Sequence, residues 1–526
     1  MIRFPDFIRK NAFHRPDAKA LHFEGHDYTW SQFSDRVHCM AQALRDLGVE
    51  PGDRVAYLGH NSGWMVEMYF VPSLIGALFV PMNFRLSEAE MVEMLADCTP
   101  EILIVDRHHG DRGAQLMALC PSLKHLIHAD WDGPAPSLPP STLNYETLAS
   151  ETARPEDDAF DAIASDSTDT KVLFYTSGTT GQPKGVMLSH LNMMTNSLGT
   201  GSIMEFGPED VVMLSGPLFH LGTGSRIYTA AYYGATMIVQ SRFEVIEAAA
   251  LIKAHRVTSM TLVPTMLRMV LDHPDFGTFD FSSMRLLTYG AAPMPLPLME
   301  RALAAIPGVT FCQSYGMTEA SPALTLLPPA DHVPGNPRID KLGSVGLPLP
   351  HSDIRIVDES GATLPPLEPG EIVARGSQIM NGYWGRDAET AEAMRGGFYH
   401  TGDAGYLDHD GYLFLVGRTK EMIISGGENV YPIETENCLS RHPAVAQAAV
   451  IGLPHEKWGE TVHAVVALHP GQTVTTDELI AFCREHIAHY KAPRGVTFWD
   501  GALPLSATNK IDKTAIKTQL LAEVRA

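Results

Sequence analysis

The sequence predicts an α/β protein with a large N-terminal domain of αβ-layered subdomains, a β-rich subdomain, and a small α+β domain at the C-terminus. Three observations predict this class: apolar runs alternate with amphipathic stretches before residue 150, short strands separated by turns follow residue 343, and strands mix with a helix near the C-terminus. The chain has 526 residues. Because one domain usually has roughly 100–200 residues, we expect several subdomains.

The N-terminal elements alternate in the way that parallel sheets require. Strands are predicted at residues 54–58, before a turn with Gly and Asn, and at residues 102–105, after Pro100. Because helical patterns separate such strands, we expect parallel βαβ layers. Residues 134–140 are rich in Pro and Ser, and residues 151–169 are acidic and rich in Ser and Thr. Both segments are predicted to be surface connectors.

The later elements divide into a β-rich region and an α+β region, with a boundary near residues 417–420. Thr476 is predicted to cap a helix that runs through Glu478 to His489. The predicted strands are residues 354–357, 370–373, 412–415, 445–451, 462–468 and 496–499.

Composition and charge exclude several classes of partner. The 39 Lys and Arg against 61 Asp and Glu give a formal net charge of −22, and binding to nucleic acids or anionic lipids needs clustered basic residues. The most apolar stretch, residues 70–84, contains two prolines and is shorter than the ~20 residues of a membrane-spanning helix. Six scattered cysteines without a C-x-x-C pair, and an N-terminus without a signal-peptide pattern, predict reduced thiols and a cytoplasmic location.

The strongest chemical motif is the segment 175–185, which follows an apolar run and precedes a helical pattern from His190. Its glycines allow backbone N–H groups to approach an anion, its hydroxyls add donors, and its lysine adds charge, so it predicts a polyphosphate site. It is not a Walker loop, because Pro183 stands where that loop requires Gly. The predicted phosphate-binding residues are Thr176, Ser177, Gly178, Thr179, Thr180 and Lys184.

This segment resembles the phosphate loop of the adenylate-forming superfamily, which includes acyl-CoA synthetases, nonribosomal adenylation domains and beetle luciferases. The resemblance covers at least five ordered motifs between Arg54 and Lys510. It implies that a carboxylic acid reacts with ATP in the presence of Mg²⁺ to give an acyl-adenylate and pyrophosphate. Coenzyme A (CoA) then displaces AMP to give a thioester. A small-molecule acid, ATP and CoA are therefore the expected partners, and the resemblance is compatible with a homodimer.

Residues 313–319 are similar to the second nucleotide motif of the superfamily. Tyr315 offers a flat face to adenine, Thr318 a hydroxyl to the α-phosphate, and Glu319 a hard oxygen ligand to Mg²⁺. Asp403, in a Thr-Gly-Asp motif, suits the ribose hydroxyls, and by resemblance Arg418 contacts ribose or phosphate. The resemblance adds Gly290, Ala291, Ala292, Gln313, Ser314 and Asn429 to the nucleotide site.

The resemblance also implies a C-terminal domain that rotates between the two half-reactions. Residues 1–417 are then the N-terminal domain that binds AMP and the acid, residues 418–420 the hinge, and residues 421–526 a mobile lid, with Lys420 at the hinge. Adjacent glycines in the lid would let the thin pantetheine chain pass close to the backbone. The expected CoA contacts are Gly426, Gly427, Trp458, Tyr490 and Arg494.

Residues 505–510 resemble the superfamily's catalytic-lysine motif, which makes Lys510 the expected catalytic lysine. Many members have Gly immediately before this lysine, whereas this chain has Asn509, a residue that tolerates left-handed backbone better than most. Lys513 is the nearby alternative. The catalytic residues implied by resemblance are Lys510, Thr318, Glu319 and Lys420.

The acid pocket is predicted around His220, since residues 217–220 match a segment that places a His beside the acid in related ligases. Its other walls, at residues 263–269, 289–293 and 317–322, are mainly apolar and small, so a hydrophobic monocarboxylate is the first choice: a medium- or long-chain fatty acid, or an aryl or cinnamate-like acid. Arg226 could receive a second carboxylate, but a helical Arg is more often solvated or paired. The predicted acid contacts are His220, Gly222, Gly290 and Met317.

Three other functions stay open. One is a stand-alone enzyme that loads an acyl or amino acid onto a carrier protein, although no acidic residue for an α-ammonium group stands between Ser215 and Arg226. A non-catalytic nucleotide sensor is a second, and it would not need both Glu319 and Lys510. Luciferase-type oxidative chemistry is the third. In every case the anionic ligands require a locally positive cleft, which we expect from Lys184, Arg418, Lys510 and Arg494.

Overall fold

The structure is a computed structural model, and it describes residues 3–133, 137–156, 159–161, 163, 166–177, 183–333, 335–425, 428–455, 458–505 and 511–525. Its elements up to residue 151 are α1 (Phe4–His14), β1 (Lys19–Phe23), β2 (His26–Thr29), α2 (Trp30–Asp46), β3 (Arg54–Leu58), α3 (Gly63–Met68), α4 (Val71–Leu74), β4 (Leu78–Met82), α5 (Glu88–Cys98), β5 (Ile102–Asp106), α6 (Gly110–Leu119), β6 (His125–Ala129), β7 (Leu143–Asn144) and α7 (Tyr145–Glu151).

The next elements carry the nucleotide motifs. They are β8 (Thr170–Ser177), β9 (Pro183–Ser189), α8 (His190–Ile203), β10 (Val211–Leu214), α9 (Leu221–Tyr233), β11 (Thr236–Val239), α10 (Val245–His255), β12 (Ser259–Leu262), α11 (Pro264–Leu271), β13 (Leu286–Gly290), α12 (Leu296–Ala305), β14 (Thr310–Gly316), β15 (Ala323–Leu327) and β16 (Leu347–Pro348).

The remaining elements form the β-rich and C-terminal regions. They are β17 (Asp353–Val357), β18 (Gly370–Arg375), β19 (Gly382–Tyr383), α13 (Asp387–Ala393), β20 (Tyr399–Leu407), β21 (Leu413–Arg418), β22 (Ile423–Ser425), β23 (Glu428–Val430), α14 (Pro432–Leu439), β24 (Val445–His455), β25 (Gly459–Leu468), α15 (Thr476–His486), β26 (Gly495–Phe498) and α16 (Lys513–Arg525). Short 3₁₀ helices lie at Phe276–Thr278, Thr318–Ala320, Pro329–His332, Ile339–Gly343, Arg395–Gly397 and Thr419–Glu421.

Two large sheets form the N-terminal part. A nine-stranded sheet has the order β16-β15-β14-β13-β12-β10-β11-β1-β2, with parallel pairing from β14 to β1. An eight-stranded sheet has the order β19-β9-β8-β4-β3-β5-β6-β7, and its run from β8 to β7 is parallel. The largest buried core includes side chains from both sheets and from α2, α4 and α9. The predicted α/β class and the parallel βαβ layers are confirmed.

The β-rich region is an antiparallel sheet of four strands, β17-β18-β20-β21. β19 lies between β18 and β20 in the sequence but does not pair with them. It is instead the edge strand of the eight-stranded sheet, beside β9. A separate sheet with the order β23-β22-β25-β24, to which β26 adds beside β25, forms the C-terminal unit. The predicted hinge at residues 418–420 lies between the end of β21 at Arg418 and the start of β22 at Ile423. Rotation at this point stays a prediction.

The predicted cap of α15 was wrong by one residue. The cap is Thr475, whose hydroxyl accepts the backbone N–H of Glu478, while the Glu478 carboxylate accepts the backbone N–H of Thr475. This reciprocal arrangement satisfies two terminal N–H groups at once and therefore fixes the first residue of the helix. The helix also ends at His486 instead of His489. Within the part of the chain described above, no helix is both long and apolar enough to cross a membrane.

Candidate active site

The predicted phosphate motif forms an antiparallel hairpin of β8 and β9. Thr176 pairs with Lys184 across the hairpin, so the hydroxyl and lysine ends of the motif lie side by side. The tip, which holds Gly178, Thr179 and Thr180, lies outside the described residues, as does the side chain of Ser177. For this motif the structure therefore shows a hairpin whose two ends are paired.

Tyr383 connects this hairpin to the second nucleotide motif. It lies on β19, which pairs with β9 and places Tyr383 opposite Val186. The Lys184 Nζ lies 5.2 Å from the centroid of the Tyr383 ring, and the Tyr383 hydroxyl donates a 3.1 Å hydrogen bond to Glu319 Oε1. Sequence reasoning missed Tyr383. The only local signal is an aromatic pair, Tyr and Trp, directly after a glycine at position 382.

The carboxylate of Glu319 has the environment expected of a cation ligand. Burial raises its pKa above the usual value, while the hydrogen bond from Tyr383 and the charges of Arg418 and Lys184 act in the opposite direction. No ion pair to Glu319 is found among the described residues. A half-buried carboxylate with no ion pair among the described residues fits Mg²⁺, which typically takes one or two protein carboxylates and completes its shell with water and substrate phosphates. The described residues contain no cluster of three or more metal-binding side chains.

A second set of predicted residues meets at the middle of β20, opposite the end of β21. The buried Tyr315 hydroxyl donates a 2.9 Å hydrogen bond to Asp403 Oδ2, and Arg418 Nε lies 3.3 Å from Asp403 Oδ1. Arg418 is opposite Asp403 in the antiparallel pair of β20 and β21. Burial and the Asp403 carboxylate both raise the pKa of Tyr315, so this side chain stays a neutral donor. The predicted adenine and ribose residues are therefore in direct contact.

The carboxyl ends of β13 and β14 have a wall of small residues. Gly290 pairs with Ser314, and a Cβ atom on Gly290 would lie 2.2 Å from the Ser314 carbonyl oxygen, so only glycine fits there. The next residue, Ala291, has a φ of +62°, a left-handed conformation that costs a non-glycine residue of order 1–3 kcal/mol and that is enriched at functional sites. Ala292 and Gln313 adjoin this wall, and Gln313 accepts a bond from the Tyr289 hydroxyl.

The predicted acid-pocket residues lie at the same edge of the nine-stranded sheet. His220 is half-buried at the N-cap of α9, with its ring 4.7 Å from that of Phe219. Gly222 is exposed, and a Cβ atom there would have no described neighbour within 4 Å. Met317 precedes the 3₁₀ turn that carries Glu319. One predicted wall is only partly present, because Met269 is 52 % exposed.

The C-terminal residues are only partly described. Lys510, Gly426 and Gly427, and the side chain of Asn429, lie outside the described residues. Lys420 is exposed in a 3₁₀ turn at the predicted hinge. Lys513 forms ion pairs of 3.0 and 2.9 Å with two glutamates, Glu421 and Glu436. These contacts give Lys513 a structural role within the C-terminal unit.

Two of the predicted CoA contacts meet on the surface of this unit. The guanidinium carbon of Arg494 lies 4.4 Å from the centroid of the Trp458 ring. Tyr490 is nearby in sequence and 40 % exposed, with the Lys491 Nζ 5.7 Å from its ring centroid. A flat aromatic ring beside a guanidinium can stack a nucleobase and bind a phosphate.

Two of the four cations predicted to make the cleft positive, Lys184 and Arg418, form ion pairs with carboxylates. Lys184 forms an ion pair with Glu389, a residue that sequence reasoning missed, and Arg418 is paired with Asp403. Both pairs involve partly exposed carboxylates or arginine side chains, where exchange for a phosphate group costs little. The cleft in this structure is therefore closer to neutral than predicted.

Fold and site together define this protein as a member of the adenylate-forming superfamily of enzymes. The chain belongs to the AMP-binding enzyme family, whose model matches residues 8–384, and residues 434–510 match that of the AMP-binding enzyme C-terminal domain.

Three similar proteins illustrate the range of the family. A feruloyl-CoA synthase from Amycolatopsis sp. is 38% identical over 503 residues, which cover 95% of this chain and 96% of that protein. A fatty acid–[acyl-carrier-protein] ligase, ScoC, from Streptomyces coeruleorubidus is 36% identical over 510 residues, or 95% and 93% of the two chains. The structure of o-succinylbenzoate CoA synthetase from Bacillus subtilis with its acyl-adenylate intermediate matches with a TM-score of 0.82 and 31% identity, covering 99% of this chain and 98% of that chain.

Proposed function

We propose that this protein is an ATP-dependent carboxylic acid–CoA ligase. It joins an acid to AMP with release of pyrophosphate, and then transfers the acyl group to the thiol of CoA with release of AMP. One observation carries the proposal: the contacts of Tyr383 and Asp403 bring Lys184, Glu319, Tyr315 and Arg418 from three separate motifs to one site.

The first half-reaction needs this concentration of charged groups. A carboxylate is a poor electrophile, so its oxygen must first attack the α-phosphorus of ATP, with pyrophosphate as the leaving group. Lys184 and Arg418 would exchange their carboxylate partners for phosphate oxygens, and Glu319 would hold Mg²⁺. Bound there, Mg²⁺ supplies charge neutralisation for the triphosphate. Lys510 is proposed to neutralise the charge that develops on the attacked phosphate.

The second half-reaction depends on the acceptor. Thiolate attack on the acyl carbon breaks the bond to the AMP oxygen, and the Trp458–Arg494 pair supports CoA as the thiol, since it offers a base and a phosphate contact together. The kinship with ScoC supports a carrier protein as the second candidate. For the acid, the small wall at Gly290 and the open space at Gly222 support an elongated body that is mainly apolar.

The test is pyrophosphate release with a panel of aliphatic, aryl and dicarboxylic acids, with and without CoA, and with product analysis by mass spectrometry. We expect acid-dependent pyrophosphate release and, when CoA is present, an acyl-CoA. Acyl-adenylate that accumulates with CoA but is transferred to a carrier protein would favour the second candidate. ATP binding without acid-dependent pyrophosphate release would contradict ligase activity altogether.

A further inference from the structure

Arg226 is a buried cation that no carboxylate neutralises within the described residues. Arg3, Arg36 and Arg226 are the described arginines that are less than a tenth exposed, at 8, 9 and 8 %. Arg3 pairs with two aspartates and Arg36 with two glutamates. The side-chain bonds of Arg226 go instead to two neutral acceptors, the Met204 sulfur at 3.3 Å and the Thr288 hydroxyl at 3.4 Å.

No neighbouring thiolate provides the missing charge either. Cys312 lies close to Arg226, but burial raises the pKa of its thiol to about 12, so the thiol is neutral. The same burial lowers the pKa of Arg226 to about 10, which leaves the guanidinium protonated at neutral pH. An unpaired buried charge is costly and is seldom kept without a function.

Register places this guanidinium directly beneath the predicted acid pocket. Arg226 is four residues after Gly222 on α9, so both lie on one face of the helix, about one turn or 6 Å apart. Thr288 is two residues before Gly290 on β13, so both lie on one face of the sheet, roughly 6–7 Å apart. Along both α9 and β13, the contact between Arg226 and Thr288 therefore lies about 6–7 Å below the level of Gly222 and Gly290.

The topology shows that the step from Gly222 to Arg226 and the step from Gly290 to Thr288 both lead away from the carboxyl edge of the sheet. The crossover helix α9 connects the parallel strands β10 and β11, so its first turn lies at their carboxyl edge. β12 and β13 continue the parallel pairing, which puts Gly290 at that same edge. The exposed Gly222 and the small wall at Gly290 are thus the entrance, and Arg226 lies one step deeper.

We propose that Arg226 determines specificity by binding an oxygen acceptor, best a second carboxylate, at the far end of the acid substrate. This rests on the proposed function and sharpens it: the acid has an apolar body and a polar tail. Sequence reasoning ranked such a substrate second because a helical arginine is usually solvated or paired. In this structure Arg226 is buried and forms no ion pair with any described residue. A guanidinium offers five N–H donors in a planar fork, which matches a carboxylate better than it matches a thioether and a hydroxyl.

The test compares acids that differ only in the tail. Cinnamates with a para carboxylate, hydroxyl or methyl group, together with octanedioate and octanoate, are assayed for kcat/KM of pyrophosphate release. The enzymes are the wild type, Arg226→Met, and the control Thr229→Ala, which removes a hydroxyl on the same helix that bonds to the Ser225 carbonyl. Each ratio is taken within one enzyme, so a general loss of activity cancels.

We expect the wild type to prefer an oxygen-bearing tail over its apolar match by at least about tenfold, and Arg226→Met to abolish or invert that ratio. Thr229→Ala should keep it. Activity with the para-hydroxyl cinnamate but not with the para-carboxylate would support a hydrogen bond from Arg226 to an oxygen of the tail and would contradict an ion pair. Equal use of the methyl tail by the wild type, or a ratio unchanged in Arg226→Met, would overturn the proposal.

Melting temperature separates a binding role from a structural one. Because Arg226 has no carboxylate partner among the described residues, Arg226→Met should melt no lower than the wild type. A lower melting temperature with an unchanged tail ratio would assign Arg226 to the fold and overturn the proposal. The acids alone should raise the melting temperature of the wild type more than that of Arg226→Met. That binding readout needs no ATP. If no acid supports pyrophosphate release, the proposed function fails, while the melting shifts still decide the role of Arg226.

Discussion

The hydrogen bond from Tyr383 to Glu319 predicts a measurable change in the pH dependence of adenylation. Glu319 must be ionised to hold Mg²⁺, so activity falls as the pH drops through its pKa. Tyr383→Phe removes a donor that stabilises the carboxylate, which raises that pKa further and moves the acidic limb to higher pH. A hydrogen bond to a charged group contributes about 1.5–3 kcal/mol, and one pKa unit corresponds to about 1.4 kcal/mol.

These values give a shift of about 1–2 pH units. The observed distance of 3.1 Å is long for a bond between a hydroxyl and a carboxylate, so we expect the lower end, about 1 unit. The assay is kcat/KM for ATP, from pyrophosphate release between pH 5 and 9 in steps of about half a unit, because this parameter reports ionisation of the free enzyme.

A matched control is Tyr412→Phe. The Tyr412 hydroxyl donates a 2.7 Å bond to the buried Asp331, and neither residue is a predicted site residue. The control should leave the acidic limb in place. If Tyr383→Phe and Tyr412→Phe give the same profile as the wild type, Glu319 does not control the acidic limb, and the reasoning from its environment is refuted.

Three further predictions concern other residues. Lys510→Ala should lose adenylation yet still convert supplied acyl-adenylate to acyl-CoA. Lys513→Ala removes a lysine that is ion-paired with two glutamates, and it should keep adenylation. The reverse result in single-turnover assays would exchange the roles of the two lysines. Arg494→Ala should raise KM for CoA about tenfold and leave pyrophosphate release without CoA unchanged, and a loss of both would argue against a CoA contact. Arg36→Leu should lower the free energy of unfolding by about 3–5 kcal/mol in urea, since two buried or half-buried glutamates lose their cation; an unchanged transition would contradict this.

The sequence predicted the layered fold well because its signals are local. The predicted strands at residues 54–58 and 102–105 coincide with β3 and nearly with β5, since a parallel strand that is buried on both faces is almost continuously apolar. The pairing of distant strands is not local. β19 consists of two residues and leaves the β-rich region to join β9, and no periodicity can reveal a strand of that length. Tyr383 was missed for this reason.

Side-chain partners were the least predictable part of the site. The family resemblance, together with residue type, predicted Glu319 as a cation ligand and Asp403 as a ribose ligand, but it gave no indication that Glu389 would pair with Lys184. The burial of Arg226 likewise depends on tertiary packing, which places its side chain against Thr288 of β13, and the general behaviour of helical arginines favours the opposite expectation. Such features arise from tertiary packing and become visible only in the structure.

The central claim is that the acid is activated as an acyl-adenylate, and isotope transfer tests it most directly. An acid labelled with ¹⁸O in its carboxylate is converted in the presence of ATP and CoA, and the nucleotide products are analysed by mass spectrometry. Because the bridging oxygen stays with phosphorus when the thiol attacks the acyl carbon, the account predicts AMP that carries one ¹⁸O atom. Label in inorganic phosphate together with ADP would mean attack at the γ-phosphorus and an acyl phosphate, and would contradict the account.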